Sequence, residues 1–208
     1  MIYQPKEDSY LLEKEVIKYS RGKKVLDMGS GSGIQARAAL DSGAKEVIAL
    51  DIDDESVKEL KKKGIKKNFD NWVNKKSKFS NKTICKKSKM IKQIVYKAIK
   101  SDLFDKVKGK FDLIIFNPPY LPYDDKEDLK SRRATSGGKK GDEIILRFLN
   151  DANKFLEKDG IVLIVVSSLT PKNKINKILK EKRLEKKVIS EEKLFFEKLE
   201  VWKVERKV

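Results

Sequence analysis

The sequence predicts an α/β fold, built on a single doubly wound, mostly parallel sheet of seven strands. Three observations indicate this fold. Short apolar runs of strand length alternate along the chain with amphipathic segments of helical length. A glycine-rich loop, "GSGSG", joins the first apolar run to the helix that follows it. The run "LIIF" stops abruptly at "NPPY", as expected of a strand that is buried on both faces and cannot continue through two prolines.

Each element is predicted from the spacing of its apolar residues and from the residues that bound it. The predicted helices are Glu7–Ser20, Ile34–Gly43, a segment that starts near Asp54, Asp142–Gly160 and Pro171–Lys182. The predicted strands are Val25–Met28, Val47–Leu50, Ile94–Ile99, Leu113–Phe116, Ile161–Ser168 and two closing strands between Leu184 and Glu205.

Composition narrows the chemistry that the chain can perform. The 208 residues include one cysteine, Cys85, and no histidine, which excludes an internal disulfide, a cysteine-based zinc site and imidazole as a general base. We therefore expect no metal. No apolar run has the length of a membrane span and no secretory signal is visible, so we expect a cytoplasmic protein that does not contact a membrane.

The net charge of +17 is unevenly distributed along the chain. The segment from Lys58 to Lys100 contains 16 lysines against two acids, Glu59 and Asp70, and carries +14 of that charge. Such a segment is either a solvated lysine-rich face or a surface that meets phosphate or an acidic partner. Residues 61–92 have no clear periodicity, and we interpret them as an insertion within one domain that covers residues 1–208.

The glycine loop is suited to a ligand that carries a positive charge. Gly29, Gly31 and Gly33 allow the backbone to approach a ligand closely where a strand meets a helix. The dinucleotide fingerprint requires a third glycine where this chain has Ile34. Asp27, directly before the loop, would repel phosphate and attract a cation.

Three further polar residues follow the next predicted strands. Asp51 is placed to accept both hydroxyls of a ribose, and Asp102 is placed to accept from the amine of an adenine. Asn117 follows the strand that ends at "NPPY". A single aspartate would be interpreted as a helix N-cap or a solvated loop residue. Four polar groups at one rim of the sheet instead indicate a ligand with a cation, a ribose and an adenine but no phosphate, a description that S-adenosylmethionine fits.

Motifs along nearly the whole chain resemble those of the Rossmann-like class I S-adenosylmethionine-dependent methyltransferases. The chain is most similar to the HemK-type glutamine methyltransferases, in the archaeal and eukaryotic branch that modifies translation release factors. The motifs that carry the resemblance are "YQPKEDSYLL", "VLDMGSGSG", "ALDID", "SDLF", "FNPPY" and "RATSGGKKGDEIILRFL". The resemblance implies methylation of the glutamine in the Gly-Gly-Gln loop of a release factor, with S-adenosylmethionine as the cofactor.

The resemblance also implies roles for individual residues. Asn117, Pro118, Pro119 and Tyr120 are the expected catalytic residues: the Asn117 side chain and the Pro118 carbonyl accept the two substrate amide protons, and Tyr120 stacks on the amide. The expected cofactor-binding residues are Ser9, Asp27, Gly29, Gly31, Gly33, Asp51, Ile52, Asp102, Leu103 and Asn117. Ser9 has a second interpretation, as a helix cap.

Other functions remain open at this point. "NPPY" is shared with DNA and RNA amino-methyltransferases, because the same acceptors suit the exocyclic amine of adenine. The lysine-rich segment favours that alternative, whereas a length of 208 residues leaves no room for a separate target-recognition domain. Methylation of a protein lysine would require a base, and none is evident. A non-catalytic binding protein would not require the complete set of polar groups.

Two further expectations concern the surroundings of the site. In the sheet order of the resembling fold the third strand lies at an edge, where relatives bind a small zinc-containing activator subunit, and we expect the same partner here. The insertion is a candidate for contact with nucleic acid. The loop "GGKKGDE" is expected beside the substrate, and Tyr123, Arg132 and Arg133 are candidates for a lid.

Overall fold

The computed structural model describes residues 4–63, 95–123 and 135–207. The predictions for Arg132, Arg133 and nearly all of the insertion lie outside these ranges. Five α-helices are described: α1 (Glu7–Tyr19), α2 (Ile34–Asp41), α3 (Asp54–Lys63), α4 (Glu143–Ala152) and α5 (Lys172–Glu181). The strands are β1 (Lys24–Met28), β2 (Glu46–Asp51), β3 (Val95–Lys100), β4 (Phe111–Phe116), β5 (Leu121–Pro122), β6 (Ser136–Gly138), β7 (Leu156–Ser167), β8 (Leu184–Lys193) and β9 (Lys198–Arg206).

Seven of the strands form one mostly parallel sheet in the order β3-β2-β1-β4-β7-β9-β8. β9 runs antiparallel to both of its neighbours, β7 and β8. This architecture confirms the predicted fold class, and it places β3 at an edge as expected. The short strands β5 and β6 form a separate parallel pair.

Helices cover both faces of the sheet, which explains the continuous apolar run in β4. Ile114 and Phe116 pack into a cluster with the buried faces of α4 and α5. Leu113 and Ile115 point to the opposite side, into a cluster with α1, α2 and α3. A strand buried on both faces has no polar alternation, and that pattern made β4 recognisable from the sequence.

The predicted helix 142–160 is wrong in its C-terminal half. The chain leaves α4 at Ala152, forms a 3-10 turn at Asn153–Phe155 and enters β7 at Leu156. Tertiary contacts end the helix: the Arg206 guanidinium donates to the carbonyls of Asn153 and Leu156 at 2.8 and 2.9 Å. Carbonyls left unpaired at a helix end require such donors. Here the donor is the Arg206 guanidinium, which belongs to β9.

Within the described ranges, no helix combines the length and the apolar character that crossing a bilayer requires.

Candidate active site

The predicted polar groups meet at one rim of the sheet. Asp27 is the last residue but one of β1, Asp51 ends β2, Asp102 lies two residues beyond β3, and Asn117 directly follows β4. Because these four strands are parallel neighbours, their carboxyl ends form a continuous rim. The order along it is Asp102, Asp51, Asp27 and Asn117.

Asp51 links the glycine loop to the start of α3 through hydrogen bonds. Its Oδ2 accepts the backbone N–H of Gly31 at 2.7 Å, and its Oδ1 accepts that of Asp53 at 2.8 Å. A carboxylate has about four acceptor sites, so Asp51 can accept further hydrogen bonds. Gly29, at the start of the loop, is exposed, whereas Gly33 has a φ of 83° and leaves no room for a Cβ, which would lie 2.6 Å from Leu60 Cδ2. The loop therefore leaves Gly29 accessible and is linked through Asp51 to the start of α3.

Asp27 lies beneath this loop and is almost fully buried. Its Oδ2 accepts the backbone N–H of Ala36 at 3.0 Å. Burial raises its pKa to about 7, against an ordinary value of 3.8. Its ionised form is therefore disfavoured unless a positive charge arrives.

The raised pKa of Asp27 predicts a specific pH dependence of stability. Between pH 4 and 7 the folded protein keeps a proton that the unfolded chain has lost, because the folded pKa is about 7 and the unfolded value is near 3.8. The free energy of unfolding should therefore fall as pH rises across this interval, by up to ~4 kcal/mol, and level off above it. Urea denaturation at several pH values measures this contribution.

A variant isolates the contribution of Asp27 from other titrating groups. Asp27→Asn keeps an acceptor for the Ala36 N–H but cannot ionise, so its stability should vary less between pH 4 and 7 than that of the unaltered protein. Asp105→Asn, at an exposed carboxylate, should leave the profile unchanged. Parallel profiles for the unaltered protein and Asp27→Asn would contradict the prediction.

The end of the rim at Asp102 contains a residue that the sequence analysis did not identify. Arg147 of α4 places its Nη2 3.0 Å from Asp102 Oδ2, with both side chains partly exposed. Ile52 is 56% exposed beside Asp51, an unusual environment for a large apolar side chain. Leu103 is partly buried and has a φ of 41°. Two carboxylates flanked by accessible apolar side chains could hold a ribose and an aromatic base.

At the other end of the rim, Asn117 is anchored to α1. Its Nδ2 donates to Asp8 Oδ2 at 3.1 Å and to Ser9 Oγ at 3.3 Å. Its Oδ1 is buried and has no hydrogen-bond partner among the residues that the structure describes. The helix-cap interpretation of Ser9 is wrong, because α1 starts after Lys6 and Ser9 lies inside the helix. Asp8 was not predicted, since an acid in the first turn of a helix is ordinarily explained by the helix dipole.

The turn that follows Asn117 packs closely against a second loop that contains glycines, "GGKKG" (residues 137–141). Pro118 is buried, and Tyr120 is partly buried against both core clusters. A Cβ on Gly137 would lie 2.7 Å from the Pro119 carbonyl oxygen, and one on Gly141 would collide with the Tyr120 carbonyl oxygen. Only glycine allows these two backbones to approach so closely, which accounts for the "GGKKG" pattern.

The rim as a whole combines two kinds of group. One part offers carboxylates to a cation and to hydroxyl or amine donors. The other contains the Asn117 amide oxygen, to which no described residue donates, three residues before Tyr120. Such an arrangement can hold a cationic nucleoside next to a group that donates N–H. In the described ranges no group of three or more acidic or cysteine side chains is arranged to hold a metal ion.

The chain is similar in sequence to several known proteins. The family described as Eco57I restriction-modification methylase matches residues 17–201. A Methanocaldococcus jannaschii protein, provisionally assigned as a protein N5-glutamine methyltransferase, is 36% identical over 180 residues, which cover 85% of this chain and 78% of that protein. The release factor glutamine methyltransferase of Borreliella burgdorferi is 30% identical over 172 residues. Those residues cover 77% of this chain and 51% of that protein, so the chain spans about half the length of this bacterial relative.

The solved structures agree on the fold. The structure of the E. cuniculi Mtq2–Trm112 complex, described as responsible for methylation of the translation termination factor eRF1, matches with a TM-score of 0.66 and 20% identity. The match covers 99% of this chain and 98% of that one, and at this identity the likeness is one of fold. The sequence relatives confirm the family that the motifs predicted. The chain therefore belongs to the HemK-type protein glutamine methyltransferases, a branch of the class I S-adenosylmethionine-dependent methyltransferases, and is an enzyme of that family.

Proposed function

We propose that this protein methylates the side-chain nitrogen of the glutamine in the Gly-Gly-Gln loop of a translation release factor. The observation that carries the proposal is the buried Oδ1 of Asn117, which has no hydrogen-bond partner within the described part of the chain. A buried acceptor without a donor is costly, and a primary amide supplies the missing N–H. The relatives that methylate glutamine support this choice of substrate.

The residues of the rim fit S-adenosylmethionine as the methyl donor. Asp51 retains acceptor sites for the ribose hydroxyls, and Asp102 retains an oxygen for the adenine amine. Ile52 and Leu103 would contact the adenine ring, and Ser9, Gly29 and Asp27 would surround the cationic methionine end. When bound, the cofactor supplies an electrophilic methyl group on a sulfonium.

The substrate amide requires orientation, because its nitrogen lone pair is delocalised into the carbonyl. Asn117 Oδ1 and the Pro118 carbonyl would each accept one N–H, which aims the remaining lone pair at the methyl group and favours a pyramidal nitrogen. Tyr120 would stack on the amide plane. Methyl transfer would form a nitrogen–carbon bond as the carbon–sulfur bond breaks with its electron pair going to sulfur, and the substrate nitrogen would then release one proton to solvent. No histidine is required, and the chain contains none.

Incubation with labelled S-adenosylmethionine and a release factor tests the proposal. Label should appear on the loop glutamine, and a release factor with alanine at that position should remain unlabelled. Label on both substrates, or on neither, would refute the proposed substrate.

A second candidate substrate is an amino group of a nucleic acid base. It is favoured by the match to a restriction-modification methylase family and by the net charge of +17. RNA and DNA added to the same assay decide between the two. Methylation of nucleic acid that falls steeply with salt would favour this second candidate.

We further propose that residues 1–208 act as one methyltransferase domain in the cytoplasm, where release factors function, and that β3 binds a small zinc-containing activator. An edge strand has unpaired backbone groups that can pair with a strand from another chain. The complex of Mtq2 with Trm112 supports such a partner. Co-expression with a zinc-containing protein of this kind should yield a heterodimer with higher activity than the single chain.

Charge reversal tests whether the lysine-rich insertion assists this partner. If it does, replacing Lys86, Lys87 and Lys89 with glutamate should weaken association in a salt-dependent way. If the insertion instead covers the edge of β3, the same variant should remain an active monomer. Reversal of Lys174, Lys177 and Lys180, which are exposed on α5, is the matched control. A monomer with full activity that no zinc protein stimulates would rule out the partner.

A further inference from the structure

The first turn of α1 holds the Asn117 side chain through hydrogen bonds. Asp8 is 5% exposed, and its Oδ1 accepts the backbone N–H of Ser9 at 2.6 Å and the Ser9 hydroxyl at 3.2 Å. Gln35, buried in α2, donates to the Ser9 carbonyl at 2.8 Å. The carboxylate that contacts Asn117 is thus fixed by its own helix, and that helix is tied to the one that follows the glycine loop.

An asparagine side chain alone does not determine which of its ends a substrate meets. Its carbonyl accepts and its NH₂ donates, and the two ends have nearly the same shape. Asp8 removes this ambiguity, because an ionised carboxylate only accepts hydrogen bonds. A rotated Asn117 would place its oxygen against Asp8 Oδ2, where Nδ2 now donates at 3.1 Å. The carboxylate therefore holds Nδ2 toward α1, which leaves Oδ1 as the end to which no described residue donates.

We infer that Asp8 is a positioning residue that orients the Asn117 amide so that the substrate meets only an acceptor. The inference rests on the proposed function. It implies selection by chemical class: a group that donates N–H, such as a primary amide, is bound, and a group that only accepts is rejected. Asp8 itself does not contact the reacting atoms.

The variant Asp8→Asn tests this inference with little change of shape. An asparagine at position 8 can donate to Asn117 Oδ1, so the rotated side chain becomes as favourable as the original one. We expect kcat at saturating cofactor to fall by about 10- to 100-fold, as for small misplacements of catalytic groups. The dissociation constant of S-adenosylmethionine should stay within about twofold, since this residue does not contact the cofactor.

The matched control is Glu7→Gln, which removes one carboxylate from the neighbouring, exposed position of the same helix turn. Its kcat should equal that of the unaltered protein. All three proteins are compared at a temperature at which each is fully folded, so a purely structural role of Asp8 would leave kcat unchanged. Unchanged kcat in Asp8→Asn, or a parallel loss of cofactor affinity, would overturn the inference.

Nuclear magnetic resonance provides a readout that does not depend on activity or on the folding of Asp8→Asn. The Asn117 side-chain NH₂ signals, assigned by their loss in Asn117→Ala, should show contacts to Ser9 protons and slow exchange with solvent in the unaltered protein. Missing contacts together with fast exchange would overturn the inference. If the unaltered protein fails to methylate a release factor, the proposed function fails, and these signals still decide the orientation of Asn117.

Discussion

Asn117→Ala is expected to lower kcat for glutamine methylation by about 30- to 1,000-fold, which corresponds to ~2–4 kcal/mol of transition-state stabilisation. The substitution deletes the Oδ1 acceptor that we propose for one of the two substrate N–H groups. Affinity for S-adenosylmethionine should be largely retained, because Asp51 and Asp102 remain. Single-turnover kinetics at saturating cofactor, with calorimetry for the cofactor, separate the two quantities.

The same substitution also affects stability. Asp8 Oδ2 loses the donor that now lies 3.1 Å away, and a buried carboxylate that loses a donor costs ~1–3 kcal/mol. Kinetics must therefore be measured well below the melting temperature of the variant. Asn150→Ala, at an exposed position of α4, is the matched control and should retain full kcat. Near-normal turnover in a folded Asn117→Ala protein would show that the amide is positioned by other groups.

Local patterns in the sequence were sufficient to predict where the four polar groups of the rim lie. β2 and β4 contain continuous apolar runs that stop at Asp51 and at Asn117-Pro118-Pro119, and β1 runs into the glycine loop, so the sequence identifies both the strands and their carboxyl ends. Parallel pairing then brings those ends together without further information. The assignment of Asp27, Asp51, Asp102 and Asn117 to one rim follows from these two facts.

Contacts between distant segments could not be predicted in the same way. Asp8 lies 109 positions from Asn117, and Arg147 lies 45 positions from Asp102. No periodicity links such pairs, because their proximity is a property of the assembled sheet. The early end of α4 has the same origin: the Arg206 guanidinium that binds the carbonyl of Asn153, directly after the helix, comes from β9. The amphipathic pattern of the sequence continues past residue 152, so it did not indicate that the helix ends there.

Asp51→Ala should have the opposite effect to Asn117→Ala. It deletes the carboxylate that we propose for the ribose hydroxyls, and a charged acceptor of this kind contributes ~1.5–3 kcal/mol, so the dissociation constant of S-adenosylmethionine should rise by about 10- to 100-fold. The loss has a second component, because Asp51 also accepts from the backbone of Gly31 at 2.7 Å. Without that bond the glycine loop is less ordered before the cofactor arrives. At saturating cofactor, kcat should fall much less than it does in Asn117→Ala.

Asp53→Ala is the matched control for this experiment. Asp53 lies two positions away, and its Oδ2 accepts the Ser56 backbone N–H at 3.0 Å, so it caps α3. Loss of the cap should cost ~1 kcal/mol of stability and leave cofactor affinity unchanged. Isothermal titration of each variant with S-adenosylmethionine, beside thermal unfolding, distinguishes a ribose contact from general destabilisation. An unchanged dissociation constant in Asp51→Ala would mean that the ribose is held by other residues of the rim.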